Sequence, residues 1–217
     1  MKKETTESDF KVKKDMSAFY KQQEKEWETD VYRIYSRRKF ALFKKYIFGK
    51  VLDVGCGVGY FYNWYPKKEN MTNFDFVDRG LPNFCSGDIA DLPFEDKSFD
   101  TVICSDVIEH LEHHIHLKAV DEIFRVAKKR VIISSCFASW YTRKITDSIR
   151  RLIGVKEHDM WNHWREYDKK EFNQLMEKYG TIIDTFDISL PFFSMFISRF
   201  AMHRKVLWTK MYIVDKK

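Results

Sequence analysis

The chain has 217 residues, 44% hydrophobic and 32% charged, which suits one α/β domain with a substantial core and excludes a disordered or fibrous protein. No apolar run approaches the roughly 20 residues of a membrane-spanning helix. The net charge of +6 lies wholly in the first 50 residues, where 14 Lys and Arg meet 8 Asp and Glu; the remainder holds 24 of each sign.

The opening Met1-Lys2-Lys3-Glu4 has none of the apolar character of a secretory signal, so a cytoplasmic location is expected. Residues 1–14 read as a charged tail. From Ser17 to Tyr46, Phe19, Tyr20, Trp27, Val31, Tyr32, Ile34, Tyr35, Phe40, Leu42 and Phe43 recur at helical spacings, predicting one or two amphipathic helices across the domain's edge. The basic surplus here can attract phosphates of nucleic acid, anionic lipid or a nucleotide-linked substrate. Interleaved acids favour a solvated helical surface instead.

Val51-Leu52-Asp53-Val54 is a strand apolar on both faces with one acid near its end. Burying that carboxylate is costly unless it meets amides or a cationic ligand group. Gly55, Gly57 and Gly59 follow at alternate positions, where the chain turns sharply and leaves room for a ligand. Cys56 lies among them, valued for its small size. The dinucleotide fingerprint needs Gly-x-Gly-x-x-Gly, and its third glycine position is Tyr60 here; the loop also lacks the lysine of a phosphate-cradling loop.

Met71 to Asp75 reads as the next strand, ending in an acid, with Asp78 competing for the same role three residues on. Strands two and three are joined by a loop, because the link from Asp75 to Asp88 is too short for a full helix. Gly87-Asp88-Ile89-Ala90-Asp91-Leu92-Pro93-Phe94 and Lys97-Ser98-Phe99-Asp100 precede a buried strand at Thr101–Cys104. Ser105-Asp106-Val107-Ile108-Glu109-His110-Leu111 comes next, at a strand end where open α/β sheets bind ligands.

Together these motifs resemble the class I S-adenosylmethionine-dependent methyltransferases, in particular the large group that includes the ubiquinone-type enzymes. The resemblance implies a Rossmann-like α/β fold: a seven-stranded, mostly parallel sheet with an antiparallel last strand and helices on both faces. It implies S-adenosylmethionine as cofactor. The glycine loop would pass beneath its amino-acid end, with Asp53 near the ammonium. Asp75 would accept the ribose hydroxyls, Asp88 would meet the adenine amino group, and Ile89 would pack beside the ring. Ser105 would face the methyl donor. Residues 1–48 would be a tail with lid or edge helices, and 49–217 the methyltransferase domain with an acceptor-site insert near 137–166.

Leu117 to Lys128 is expected to be a helix, with Leu117, Val120, Ile123, Phe124 and Ala127 on one stripe. Val131–Ile133 is the fifth strand. Asp168 to Tyr179 is a helix with Asp168 as N-cap and Glu171 three residues on, closed by Gly180. Thr181–Leu190 and Val206–Val214 complete the sheet as an antiparallel pair. The cysteines at 56, 85, 104 and 136 include no CxxC pair, which argues against zinc or a disulfide framework.

Methyl transfer to a hydroxyl needs a base or metal beside the acceptor. His110 and Glu109 are the candidate catalytic residues. Asp106, Glu109 and His110 also resemble an acid-x-x-Glu-His set that binds a divalent ion in some relatives, with Asp in place of Glu; the metal is the lesser expectation. His113, His114 and His116 read as a pH-sensitive surface, while His158 and His163 lie in the insert. The apolar Pro191–Ile197 with Arg199 and Phe200 could wall an acceptor pocket, touch a membrane, or pack in a core or interface. Members of the resembled family that methylate exocyclic base nitrogens carry Asn- or Asp-Pro-Pro-aromatic after this strand; no proline falls between Pro93 and Pro191 here, so the resemblance disfavours that activity. The expected acceptor is a small or lipid-linked molecule methylated on oxygen. RNA methylation is the alternative, and a non-catalytic cofactor-binding module is the alternative of another class. Nothing in the sequence fixes an oligomeric state.

Overall fold

A computed structural model describes residues 30–137, 167–188 and 209–217. The charged tail, Phe19, Tyr20, Trp27, the insert with His158 and His163, and the apolar stretch from Pro191 to Phe200 lie outside them. The described elements are α1 (Asp30–Phe43), β1 (Val51–Val54), α2 (Tyr60–Trp64), β2 (Met71–Asp75), β3 (Phe84–Ser86), β4 (Phe99–Ser105), α3 (His113–Val126), β5 (Ala127–Cys136), α4 (Lys169–Tyr179), β6 (Gly180–Asp187) and β7 (Thr209–Lys216). Short 3-10 turns occupy Lys44–Tyr46, Lys68–Asn70 and Ile108–His110.

The strands form one seven-stranded sheet in the order β3-β2-β1-β4-β5-β7-β6. Pairings from β3 through β5 are parallel, and β7 runs antiparallel between β5 and β6. Bends rather than a helix join β2 to β3. Order reverses at β1 and β4, the kind of switch point at which open α/β sheets bind ligands.

Strand alternation sorts the core onto two faces. Leu52, Val54, Val102, Cys104, Val131 and Ile133 pack with Val120, Ile123 and Phe124 of α3 and Phe172 and Met176 of α4. Val51, Ile103, Ile132 and Ile213 pack on the other face with Tyr35, Phe40 and Phe43 of α1 and Phe61 of α2. The first helix therefore lies across the face of the sheet, where edge packing was expected. Its buried stripe Tyr35, Lys39 and Phe43, spaced by four, contains one lysine.

The third helix begins four residues before the expected start, and its stripe is rotated: Leu117 is 49% exposed, whereas His116 is buried. His116 lies against Tyr167, with ring centroids 6.1 Å apart, so it is not part of a titrating surface as the sequence suggested. His114 does remain exposed, 3.3 Å from Glu112.

At α4, Asp168 caps the helix by accepting from the Lys170 and Glu171 amides at 2.8 and 3.4 Å. Gly180 ends the helix in extended geometry (φ −167°) rather than in a left-handed cap. Glycine is needed there because a β-carbon would run into the Asp215 carbonyl of β7. Gly180→Ala is therefore expected to destabilise the fold by about 1–3 kcal/mol through overpacking. Chemical denaturation would measure this, and an unchanged midpoint would contradict so close an approach.

Candidate functional site

On the α1 face, each central strand turns from apolar to polar at its carboxyl end. Val51 is followed by Asp53, Ile103 by Ser105, and Ile132 by Ser134, two positions apart and so on the same side. The glycine loop folds over the end of β1. The Gly55 and Cys56 amides both donate to the Phe74 carbonyl, at 2.7 and 3.1 Å. Gly55 and Gly59 have φ of 72° and 74°. A β-carbon at Gly55 would strike Val107 beyond β4, and one at Gly59 would come within 2.6 Å of Leu81. Both positions thus require glycine for conformation and for space.

Asp53 is 2% exposed, and its Oδ2 has no hydrogen-bond partner. Burial and the neighbouring Asp75 push its carboxyl up to about 7, against a lowering influence from Lys39. Asp75 holds the loop: its Oδ2 accepts from the Gly57 amide at 2.9 Å and its Oδ1 from the Val77 amide at 3.1 Å. Arg79 lies 3.5 Å from the same carboxylate. The competing Asp78 instead accepts from the Gly80 amide at 2.8 Å, which makes it a turn acid. Cys56 is held as the thiol, its ionisation pushed up by burial, Asp53 and Asp75.

Asp88 is exposed and its Oδ1 accepts from the Ala90 amide at 2.8 Å. Ile89 is half-buried against the core. Ser105 Oγ lies 3.0 Å from Ser134 Oγ. Asp106 has φ of 57°, an uncommon conformation for a side-chain-bearing residue. Its Oδ2 accepts from Lys39 Nζ at 2.7 Å and Tyr35 Oη at 3.3 Å, and its Oδ1 from Ser134 Oγ at 2.7 Å. Glu109 is fully buried, with Oε2 accepting from Ser135 Oγ at 3.3 Å, and His110 is half-buried in the 3-10 turn.

Among the described residues, no three His, Cys, Asp or Glu side chains group as a metal site. Asp106, Glu109 and His110 are accordingly not brought together as ligands, because Asp106 is turned onto Lys39, Tyr35 and Ser134. The polar partners that sequence reasoning missed are Lys39, Tyr35, Ser134 and Ser135. Two signals pointed to them: a lysine between Tyr35 and Phe43 on an apolar stripe, and a serine pair ending an apolar strand.

Residues 52–134 match the family model described as a methyltransferase domain. Over this span the chain is similar to the class I methyltransferases, whose Rossmann-like fold it shares. An uncharacterised protein of Methanocaldococcus jannaschii is 40% identical over 86 residues, 37% of this chain and 36% of the relative, so the match spans about a third of that protein's length. The methyltransferase fold recurs in 1,6-didemethyltoxoflavin-N1-methyltransferase of Burkholderia thailandensis, solved with substrate and S-adenosylhomocysteine. The likeness has 13% identity and TM-score 0.66, and covers 100% of this chain and 93% of that one. A Pyrococcus horikoshii protein shares 18% identity at TM-score 0.61 over 88% and 94% of the two chains. Magnesium protoporphyrin IX methyltransferase of Synechocystis shares 15% at TM-score 0.57 over 84% and 81%.

The Asp53 environment sets a sign for the pH dependence of the methyltransferase core. Its carboxyl rises from 3.8 to about 7 on folding, so between those values the folded state binds the extra proton. Stability of the ligand-free protein from this group is full below 3.8 and falls as pH rises toward 7, by about 1.4 kcal/mol per unit. Asp53→Asn should remove this slope in denaturation series across pH. An identical slope in the variant would contradict the buried, raised carboxyl.

Proposed function

We propose that the chain transfers the methyl group of S-adenosylmethionine to an oxygen of a small or lipid-linked acceptor. The observation that carries the cofactor half is the unpartnered, buried Asp53 oxygen beneath a glycine loop. A buried carboxylate with a vacant acceptor position calls for a cationic donor, and the amino-acid end of this cofactor carries an ammonium. When bound, S-adenosylmethionine supplies a sulfonium methyl already activated for displacement.

The remaining work belongs to the chain's own residues. Asp53 takes the ammonium, and the Gly55–Gly59 loop leaves room for backbone approach. Asp75 offers its two oxygens to the ribose hydroxyls, exchanging part of its hold on Gly57 and Arg79. Asp88, exposed beyond β3, is free at one oxygen to reach the adenine amino group, with Ile89 as an apolar wall. Orientation of the acceptor supplies most of the rate advantage in such a displacement. An oxygen acceptor must also lose its proton, and we assign this to His110, with Glu109 buried beside it as its support. No described helix is long and apolar enough to cross a membrane. A cytoplasmic location is part of the same proposal.

Titration calorimetry is expected to find one site for S-adenosylmethionine and for S-adenosylhomocysteine, and none for NAD. Asp75→Ala should weaken binding by roughly 1.5–3 kcal/mol, about tenfold to a hundredfold. Tighter binding of NAD would overturn the cofactor assignment. For the acceptor, cell extract supplied with isotopically methyl-labelled cofactor should yield a labelled small molecule or lipid carrying an O-methyl group. Label recovered chiefly in RNA would overturn the small-acceptor reading, and no label in any fraction would favour a binding module without turnover.

A further inference from the structure

The described residues hold a buried ion pair that the proposed reaction does not use. Lys39 is 3% exposed on the inner stripe of α1, and Nζ lies 2.7 Å from Asp106 Oδ2. Helix α1 leads through a short turn into the start of β1, so its chain runs against the strands and its earlier turns stand over their carboxyl ends. Lys39 is thereby carried to the polar end of the face on which Asp53 sits. Asp106 is well equipped to hold it there. Its backbone is left-handed, and Ser134 Oγ and Tyr35 Oη also donate to its carboxylate. Lys39, Tyr35 and Ser134 together hold this carboxylate as an anchor.

We infer that Lys39 and Asp106 are a positioning pair for the methyl-donor site: Asp106 anchors the Lys39 ammonium, and Lys39 serves Asp53 as a resident counter-charge that keeps its carboxylate ready for the ligand's ammonium. This rests on the proposed cofactor site. The groups acting on Asp53 come from several elements. Asp75 at the end of β2 opposes its charge and Lys39 of α1 favours it. The thiols of Cys56 in the loop and Cys104 in β4 feel Asp53 in turn and are themselves held neutral by burial. Arg79 is engaged with Asp75. Asp106 and Asp53 thus share one lysine, and weakening either end of the buried pair changes what the other carboxylate experiences.

The two ends of the pair make opposite predictions. Lys39→Met keeps the apolar stem and removes the charge, leaving Asp53 facing Asp75 with less compensation. Asp106→Asn suits a left-handed backbone, removes a negative charge and leaves the ammonium to act on Asp53 without a competitor. S-adenosylhomocysteine affinity is measured by calorimetry from pH 5.5 to 8 for the full chain and both variants, reading the acid limb. In the wild type that limb should have its midpoint near 7. Lys39→Met should move it up, and Asp106→Asn down, each by roughly one unit. Shifts in opposite directions support the inference. Shifts in the same direction, or affinity lost equally at every pH, would reduce the pair to a structural clasp and overturn it. If Lys39→Met does not fold, the downward shift in Asp106→Asn decides alone. A wild type that binds no S-adenosylhomocysteine overturns the cofactor proposal as well, whereas binding with unmoved midpoints overturns only this one.

Discussion

A carboxylate buried near the carboxyl end of a central strand is the constraint around which the site is arranged. Asp53 lies at the polar end of a face whose remainder is apolar, and one of its oxygens lacks a protein partner. Such a group lowers stability unless it is protonated or compensated. Both forms of relief are built in: burial raises its affinity for a proton, and Lys39 supplies a cation from the helix covering that face. A cationic ligand would complete the set. Under the proposed cofactor assignment, stability of the ligand-free fold and strength of ligand binding would be opposed at this residue.

The surrounding architecture follows from that placement. Parallel β1 and β4 diverge in their connections at the switch point, and Asp53 and Ser105 lie near the carboxyl ends of these two strands. The glycine loop follows β1, with Val107 packed close against Gly55 and Leu81 against Gly59. Asp75 then ties the loop to the end of β2 through Gly57. On the same face α1 brings Phe40 and Phe43 to the apolar part of the sheet and Tyr35 and Lys39 to its polar part. One helix so contributes to the core and to the electrostatics of the site.

Much of this was legible in the sequence where the signal is local. The β-branched run at Val51–Val54, the alternating glycines, the acid ending β2 and the cap at Asp168 each carry their reason within a few residues. The seven-stranded, mostly parallel sheet with its antiparallel last strand came through resemblance to a family and not through periodicity. Legibility failed where a side chain's role depends on a distant partner. Asp106 has the right neighbours in sequence for a metal ligand, yet Lys39 and Tyr35, 67 and 71 positions away, claim it. His116 stands in a histidine-rich run that reads as surface, but helix rotation turns it toward Tyr167. Gly180 ends a helix as expected and for a different reason, since the demand comes from β7.

The central claim, that Asp53 is a buried carboxyl waiting for a cation, is tested most directly by following its own ionisation. With ¹³C-labelled aspartate and Asp53→Asn to assign the resonance, the carboxyl is titrated by NMR in free protein and with S-adenosylhomocysteine. The account predicts a midpoint near 7 in the free protein and a clear downward displacement when the ligand is present. An ordinary carboxylate midpoint in the free protein, or one that the ligand leaves unmoved, would contradict it.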